Sequence, residues 1–583
     1  MHSRPSPAPS RPRLLLLPLA LALALAGCTV AEPRPTDGGA EGVFIPPANR
    51  PDVMGTRGAV SSDHPLATAA GMAVLQRGGN AVDAAVAMAG VLAVVRPHMN
   101  GIGGDAFILH FDAGSGQVTA LNGSGRAGSS VPASFFRDQG VEVIPEYGPL
   151  TVTVPGAVAA WEDVLARHGT ISLAEALEPA IRYAEEGFPV STKLRQDILD
   201  AREVLNEHAR ELYLPGGDAP RMGALLRNPA LAASLRAIAR EGASAFYQGG
   251  IGRQLAAFVE AGGGHLRPED FRTHGSTWTE PIGVDYLGHQ VLAFPPNTQG
   301  VTQLQQMVMA GLLDLEGMGH NSPDYLHSLV EVKKLAFADR DRWVTDDETN
   351  PAPVDRLLDR AYAAERIREI GPKAADQVEA GFGDPLTAAL PAPVTQGDGD
   401  TVYLMVVDRW GNGVSWIQSL FQSFGSGLLE PSTGIVLQNR GSQFRLDPDH
   451  PNSFAPGKRP FHTLNPVMVL RNGELAMTLG TPGGDGQTQS LLQVYHNLFL
   501  FGLTPQEAVE APRYRSDLGL QLLLDDRIPP EVRAEMEARG HEIRVIPGWS
   551  WLQGGVQIIY RDPESGALIT GADPRREAYA LAY

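Results

Sequence analysis

Residues 397–427 read GDGDTVYLMVVDRWGNGVSWIQSLFQSFGSG. The stretch changes character at the bond before Thr401. Upstream, residues 371–400 are rich in Ala, Pro, Gly and Asp without periodicity, which predicts an exposed loop. Downstream, the apolar run Thr401 to Asp408 predicts a strand, and 413–420 predicts its hairpin partner. The linker Asp408-Arg409-Trp410-Gly411-Asn412 suits a three-residue loop with Gly411 in the left-handed region. That loop sets Asp408 opposite Asn412 and, counting back along the ladder, Thr401 opposite Ser419. A different loop would shift the register by one and turn Ser419 to the other face.

A threonine that opens a strand is ordinarily just a β-former. Its hydroxyl is a poor nucleophile unless a base takes the proton. If the bond before Thr401 is cut, the freed α-amine, with an unperturbed pKa of about 8, can be that base. The cut needs only an attack by the Thr401 hydroxyl on the carbonyl of Asp400, giving an ester that water hydrolyses. A second piece is Thr481-Pro482-Gly483-Gly484-Asp485, set between a predicted strand and a predicted helix. Adjacent glycines can turn backbone N–H groups toward one point as an oxyanion hole, although Gly-Gly also simply ends strands.

Outward from this core, Leu66 to Arg77 predicts a helix ended by Gly78-Gly79. Asn80 caps the next, Ala81 to Val95, with Asp83 completing a capping-box variant; its Ala/Val-rich surface predicts burial all round. A glycine-rich turn at 100–104 and an alternating strand, Ala106 to Phe111, follow. The middle, about 155–370, reads as mainly helical, near 157–168, 174–186, 226–240, 302–316 and 323–343. The last part alternates strands (466–471, 475–479, 555–561) with helices (486–501, 504–510, 528–539). With 47 Lys and Arg against 66 Asp and Glu, the formal charge of −19 argues against nucleic-acid binding. The start carries Arg4, Arg11 and Arg13, then an apolar Leu14–Ala26 too short to span a bilayer. It ends in Leu25-Ala26-Gly27-Cys28, which resembles the lipobox of bacterial lipoproteins. Residues 1–27 are thus expected to be a signal peptide, and Cys28, the sole cysteine, the lipidated residue. Residues 28–55 read as a tether. Thr29 favours the periplasmic face of an outer membrane.

Motifs spread over the chain from about residue 55 resemble the γ-glutamyltranspeptidase family of N-terminal-nucleophile hydrolases. They include GGNAVDAAVA at 78–87, GIGGDAF at 101–107, VPGAVAAWE at 154–162, KLAFADR at 334–340, DTVYLMVVD at 400–408, KRPFHTLNP at 458–466, TPGG at 481–484 and GADPRREA at 571–578. The resemblance implies an α/β fold, a four-layer αββα sandwich, made from one precursor cut into 28–400 and 401–583 as one intertwined domain. It implies Thr401 as nucleophile, its α-amine as base, Gly483 and Gly484 as oxyanion donors, and Ser419 as a supporting hydroxyl. It implies no metal or organic cofactor. Substrates would be small amides or γ-glutamyl compounds, with water or an amine as acceptor.

The sequence departs from the family where substrate is read. Ser124 occupies the position of the family's carboxylate-binding arginine, and Arg126 falls two residues later. Gln438-Asn439-Arg440-Gly441-Ser442-Gln443-Phe444 replaces Asn-Asn-Gln/Glu-Met-Asp-Asp-Phe, so a cation stands where a substrate ammonium is normally received. The paired serines after Lys-Arg-Pro become His462 and Thr463, and an asparagine two residues after Ser419 becomes Phe421. Arg126, Asn439, Arg440, Gln443, His462 and Thr463 are the candidate substrate residues. They suggest an amidohydrolase or acylase acting on dicarboxylic monoamides such as oxamate or glutaryl amides, as the alternative to γ-glutamyl transfer or glutathione hydrolysis. A third reading, a lipid-anchored binding protein without catalysis, would be signalled by loss of Thr401 or of the glycine pair, and both are present.

Overall fold

The strand Asp400–Val407 is buried along its whole length, and burial on both faces demands a layer on each side. Val402, Leu404 and Val406 enter an apolar cluster shared with helices Ala81–Val95 and Ala157–His168. Tyr403, Met405 and Val407 enter a cluster shared with a second sheet through Leu292, Phe294, Met468, Leu470 and Ile559. On the far side of that sheet, Val291, Val469, Met477 and Leu479 pack with helices Gly300–Ala310, Pro323–Trp343 and Gly486–Phe499. The result is the expected four-layer αββα sandwich. The computed structural model describes residues 49–383 and 399–583, besides His2. The expected signal peptide, Cys28, the tether up to residue 48 and residues 384–398 of the loop before Thr401 lie outside the described residues.

Each sheet has seven strands. One runs Tyr579–Ala582, Ala59–Ser62, Asp400–Val407, Gly413–Phe421, Asp105–Asp112, Gln117–Gly123, Thr277–Thr279, all antiparallel. The other runs Val53–Gly55, Leu568–Ala572, Gln557–Arg561, Glu474–Gly480, Val467–Arg471, His289–Ala293, Ile282–Tyr286, also antiparallel. Both sheets contain strands from before and after Asp400. A cut at that bond therefore leaves two chains that share both sheets. Among the described residues no helix is long and apolar enough to cross a membrane.

Local signals hold where the chemistry is local. Asn80 and Asp83 form the reciprocal capping box at 3.0 and 2.9 Å, and all fifteen residues of Ala81–Val95 are buried. Two readings change. The helix expected over 302–316 breaks after Ala310, because the chain turns at Gly311 and restarts with Asp314 capping Leu315–Met318. The middle is less purely helical than expected: Thr277–Thr279, Ile282–Tyr286 and His289–Ala293 are strands. Their hairpin turns on Leu287-Gly288, both at positive φ, a two-residue turn of the primed kind.

Candidate active site

The hairpin that carries Thr401 closes as its loop chemistry dictates. The Asp408 N–H bonds the Asn412 carbonyl at 3.0 Å, and Gly411 sits at φ +88°. Val407 pairs with Gly413 and Val402 with Gln418, so the ladder arrives at Thr401 facing Ser419. There it breaks register. Asp400 pairs with Phe421, leaving Ser419 and Leu420 opposite the single residue Thr401. This bulge twists the strand end and aims the two hydroxyls at each other. Thr401 Oγ1 donates to Ser419 Oγ at 3.1 Å, and Ser419 Oγ donates to the carbonyl oxygen of Asp400 at 2.8 Å. The N–H of Phe421 bonds the same Ser419 oxygen at 2.7 Å. One serine thus holds both the hydroxyl and the carbonyl it would attack. Phe421 stays at φ +83° to do this, a backbone strain of about 1–3 kcal/mol for a residue with a Cβ.

Thr401 shares a strand face with Tyr403, so it looks into the space between the sheets. The neighbouring strand of the second sheet, Glu474–Gly480, runs out there into Pro482-Gly483-Gly484. Gly483 and Gly484 have φ of +125° and +53°, values that a side chain would strain. Their carbonyls are tied down: Gly483 accepts from the Gly486 N–H, and Gly484 from the Gln487 N–H and from Gln299 Nε2. Their own N–H groups donate to nothing among the described residues. The turn lies against the bond in question, since a Cβ on Gly399 would be 3.2 Å from Gly484 Cα. The helix Gly486–Phe499 starts immediately after, adding the positive end of its dipole. In the uncut chain Thr401 is 1% exposed.

The substrate candidates separate into two groups. Arg440 is fully buried, stacked 4.2 Å over the ring of Phe421. Phe421 in turn lies within van der Waals reach of Gly399. Arg440 Nη1 reaches Thr463 Oγ1 at 3.4 Å, while Nε and Nη2 have no hydrogen-bond partner among the described residues. Burial pushes this guanidinium down to about 9 and the nearby Asp105 carboxylate opposes the shift. Asp105, also fully buried, is pushed up to about 7 by desolvation, against Arg440, Gln438 and the N–H groups of Gly125 and Gly156. His462 Nε2 stands 2.9 Å from Ser124 Oγ and 3.3 Å from Asp105 Oδ2. Burial and the charges of Arg440 and Arg459 keep its imidazole well below the usual range, hence neutral. Asn439 is engaged on both sides, donating to the Glu146 carbonyl and accepting from the Gln422 N–H. Gln443 lines a narrow cleft beside Asp485, and its Nε2 has no partner among the described residues.

Arg126 does not join this group. It is part-exposed, hydrogen-bonded to both carboxylate oxygens of Glu348 at 2.8 and 2.7 Å and to the Gly457 carbonyl. Ser124, in the family's arginine position, turns inward to His462 instead. Three contributors went unassigned in the sequence: Asp105, inside GIGGDAF; Phe421, seen only as a departure; and Arg576, inside GADPRREA, whose Nη1 pairs with Asp400 Oδ1 at 3.1 Å. Away from this site, His327, Glu331 and His541 cluster closely enough to hold a metal ion. Their donors are already engaged, His327 with His541 at 2.9 Å and Glu331 with Lys334 at 2.8 Å.

Residues 67–583 match the family described as Gamma-glutamyltranspeptidase. The chain belongs to that family. A glutathione hydrolase-like proenzyme of Bacillus subtilis is 38% identical, over 91% of this chain and 99% of that protein. An oxamate amidohydrolase proenzyme of Klebsiella pneumoniae is 35% identical, over 91% of this chain and 99% of that one. Among solved structures, a cephalosporin acylase from Bacillus halodurans superposes with a TM-score of 0.85 at 37% identity, covering 93% of this chain and 99% of that one. This γ-glutamyltranspeptidase-family chain is therefore an enzyme of the hydrolase type, with an intact sandwich.

Proposed function

We propose that the chain cleaves itself between Asp400 and Thr401 and then hydrolyses or transfers an amide-linked acyl group through an acyl-threonine intermediate. One observation carries this: Ser419 Oγ is hydrogen-bonded both to the Thr401 hydroxyl and to the Asp400 carbonyl. In the first step the Thr401 oxygen bonds to the Asp400 carbonyl carbon. The C–N bond breaks, and the hydroxyl proton ends on the departing nitrogen. Water then opens the ester, giving chains 28–400 and 401–583 and a free α-amine on Thr401. In each later turnover that amine takes the Thr401 proton, and the N–H groups of Gly483 and Gly484 receive the negative oxygen of the tetrahedral intermediate. Water releases an acid; an amine acceptor releases a new amide. The relatives named proenzymes support the cut.

Within this reading, Arg440 favours an acyl group that ends in a carboxylate over one that presents an ammonium there. A buried guanidinium with two unpaired donors is costly unless a bidentate partner arrives, and a carboxylate fits that fork. Dicarboxylic monoamides, of the oxamate or glutaryl kind, meet this demand; a γ-glutamyl group brings its ammonium toward a like charge. Arg126, tied to Glu348, has no part in it. We further propose that Cys28 is lipidated and tethers the enzyme to the periplasmic face of the outer membrane, supported by Leu25-Ala26-Gly27-Cys28. Metabolic labelling with a fatty-acid probe, lost in Cys28→Ala, tests the anchor.

The deciding experiment is the denatured mass of purified protein beside Thr401→Ala. Two fragments from the wild type, the smaller beginning at Thr401, and one intact chain from the variant are expected. An intact wild-type chain that nevertheless hydrolyses amides would refute the scheme.

A further inference from the structure

The ion pair between Arg576 and Asp400 is built in an unusual place. Asp400 supplies the carbonyl that Thr401 would attack, and its side chain is 6% exposed. Arg576, 2% exposed, meets it at 3.1 Å from 176 residues away, and Asp400 is the only carboxylate within ion-pair distance of it among the described residues. The arginine is itself anchored. Its Nε donates to the Trp551 carbonyl, its guanidinium lies over the Trp551 ring, and its backbone carbonyl accepts from Arg96, which pairs with Glu577. Trp551 precedes Gly554, which lies against Gly483. The same frame thus holds the oxyanion turn and the residue to be attacked.

We propose that Arg576 is a positioning residue for self-cleavage, gripping the Asp400 side chain so that its carbonyl carbon faces the Thr401 hydroxyl. This rests on the self-cleavage reading above. Ser419 fixes the carbonyl at its oxygen. The ladder around this peptide is interrupted by the bulge between Asp400 and Val402, and the Arg576 contact anchors the Asp400 side chain as a further fixed point at the strand end. The pair serves only the uncut chain, because the bond it orients exists once.

The test follows the appearance of the 401–583 fragment during cell-free synthesis, by denaturing mass, for wild type, Asp400→Ala, Asp400→Asn, Arg576→Gln and the Asp400→Ala/Arg576→Gln double variant. Cleavage slows about tenfold or more in Asp400→Ala and in Arg576→Gln, and the double variant is no slower than the slower single, as for two members of one contact. Asp400→Asn keeps an oxygen acceptor and returns to within about threefold of wild type. Asparagine as slow as alanine, wild-type speed in Asp400→Ala, or multiplied effects in the double variant would overturn the proposal. Thr401→Ala, run beside them, separates the two readings: if it too is cut, self-cleavage itself has failed rather than the role of Arg576.

Discussion

The nucleophile end and the acyl wall of this site are built to opposite standards. Around Thr401 the hydroxyls and the carbonyl are bonded to one another, that of Thr401, that of Ser419 and that of Asp400, while the Gly483 and Gly484 N–H groups stand open among the described residues. Around Arg440, reached through Phe421, buried donors have no partner among the described residues: Arg440 Nε and Nη2, and Gln443 Nε2. Bonded groups hold one geometry, which a chemical step needs. Unpaired buried donors are a debt of about 1–3 kcal/mol each that an incoming group must settle, which is what selectivity needs. On the proposed reading, the chemistry lies in the backbone and the hairpin, and the choice of acyl group in a few side chains.

The sharpest way to break this contrast is Thr401→Ala, which should remove cleavage and lower amide hydrolysis by at least about 1,000-fold, read by mass and by product release. Next is Arg440→Leu. It should lower kcat/KM for a glutaryl amide by about 100-fold while changing a monocarboxylic acyl amide less than about fivefold. Equal losses on both would mean Arg440 is structural. Ser419→Ala should slow self-cleavage by about 10- to 100-fold, since it unties hydroxyl and carbonyl together; an unchanged rate would remove it from the nucleophile end. The smallest effect is expected of Arg126→Ala, under about twofold in kcat/KM, because a part-exposed pair with Glu348 contributes little. A loss as large as that of Arg440→Leu would move Arg126 into the pocket after all.

Much of this was legible in the order of residues, where the governing forces are local. The period-two pattern from Thr401, the Gly411 turn and the Asn80–Asp83 capping box each follow from neighbours within a few positions. The register followed from the loop, and with it the Thr401–Ser419 meeting. The strands at 277–293 were missed although Tyr286-Leu287-Gly288-His289 carries a hairpin signal, because the helices around them dominate the composition.

What the sequence determined alone, then, is the framework: where strands and helices run, and which hydroxyl faces which. The tertiary structure decided the rest. Two arginines, at 126 and 440, are equivalent as letters. Only packing sends one out to Glu348 and buries the other over Phe421, with Asp105 compensating its charge from more than 300 residues away in the chain. The Arg576–Asp400 pair and the meeting of Gly484 with Gly399 are likewise contacts between remote segments. Such contacts are settled by how buried charge and close approach are accommodated across the whole sandwich, and no local pattern encodes them.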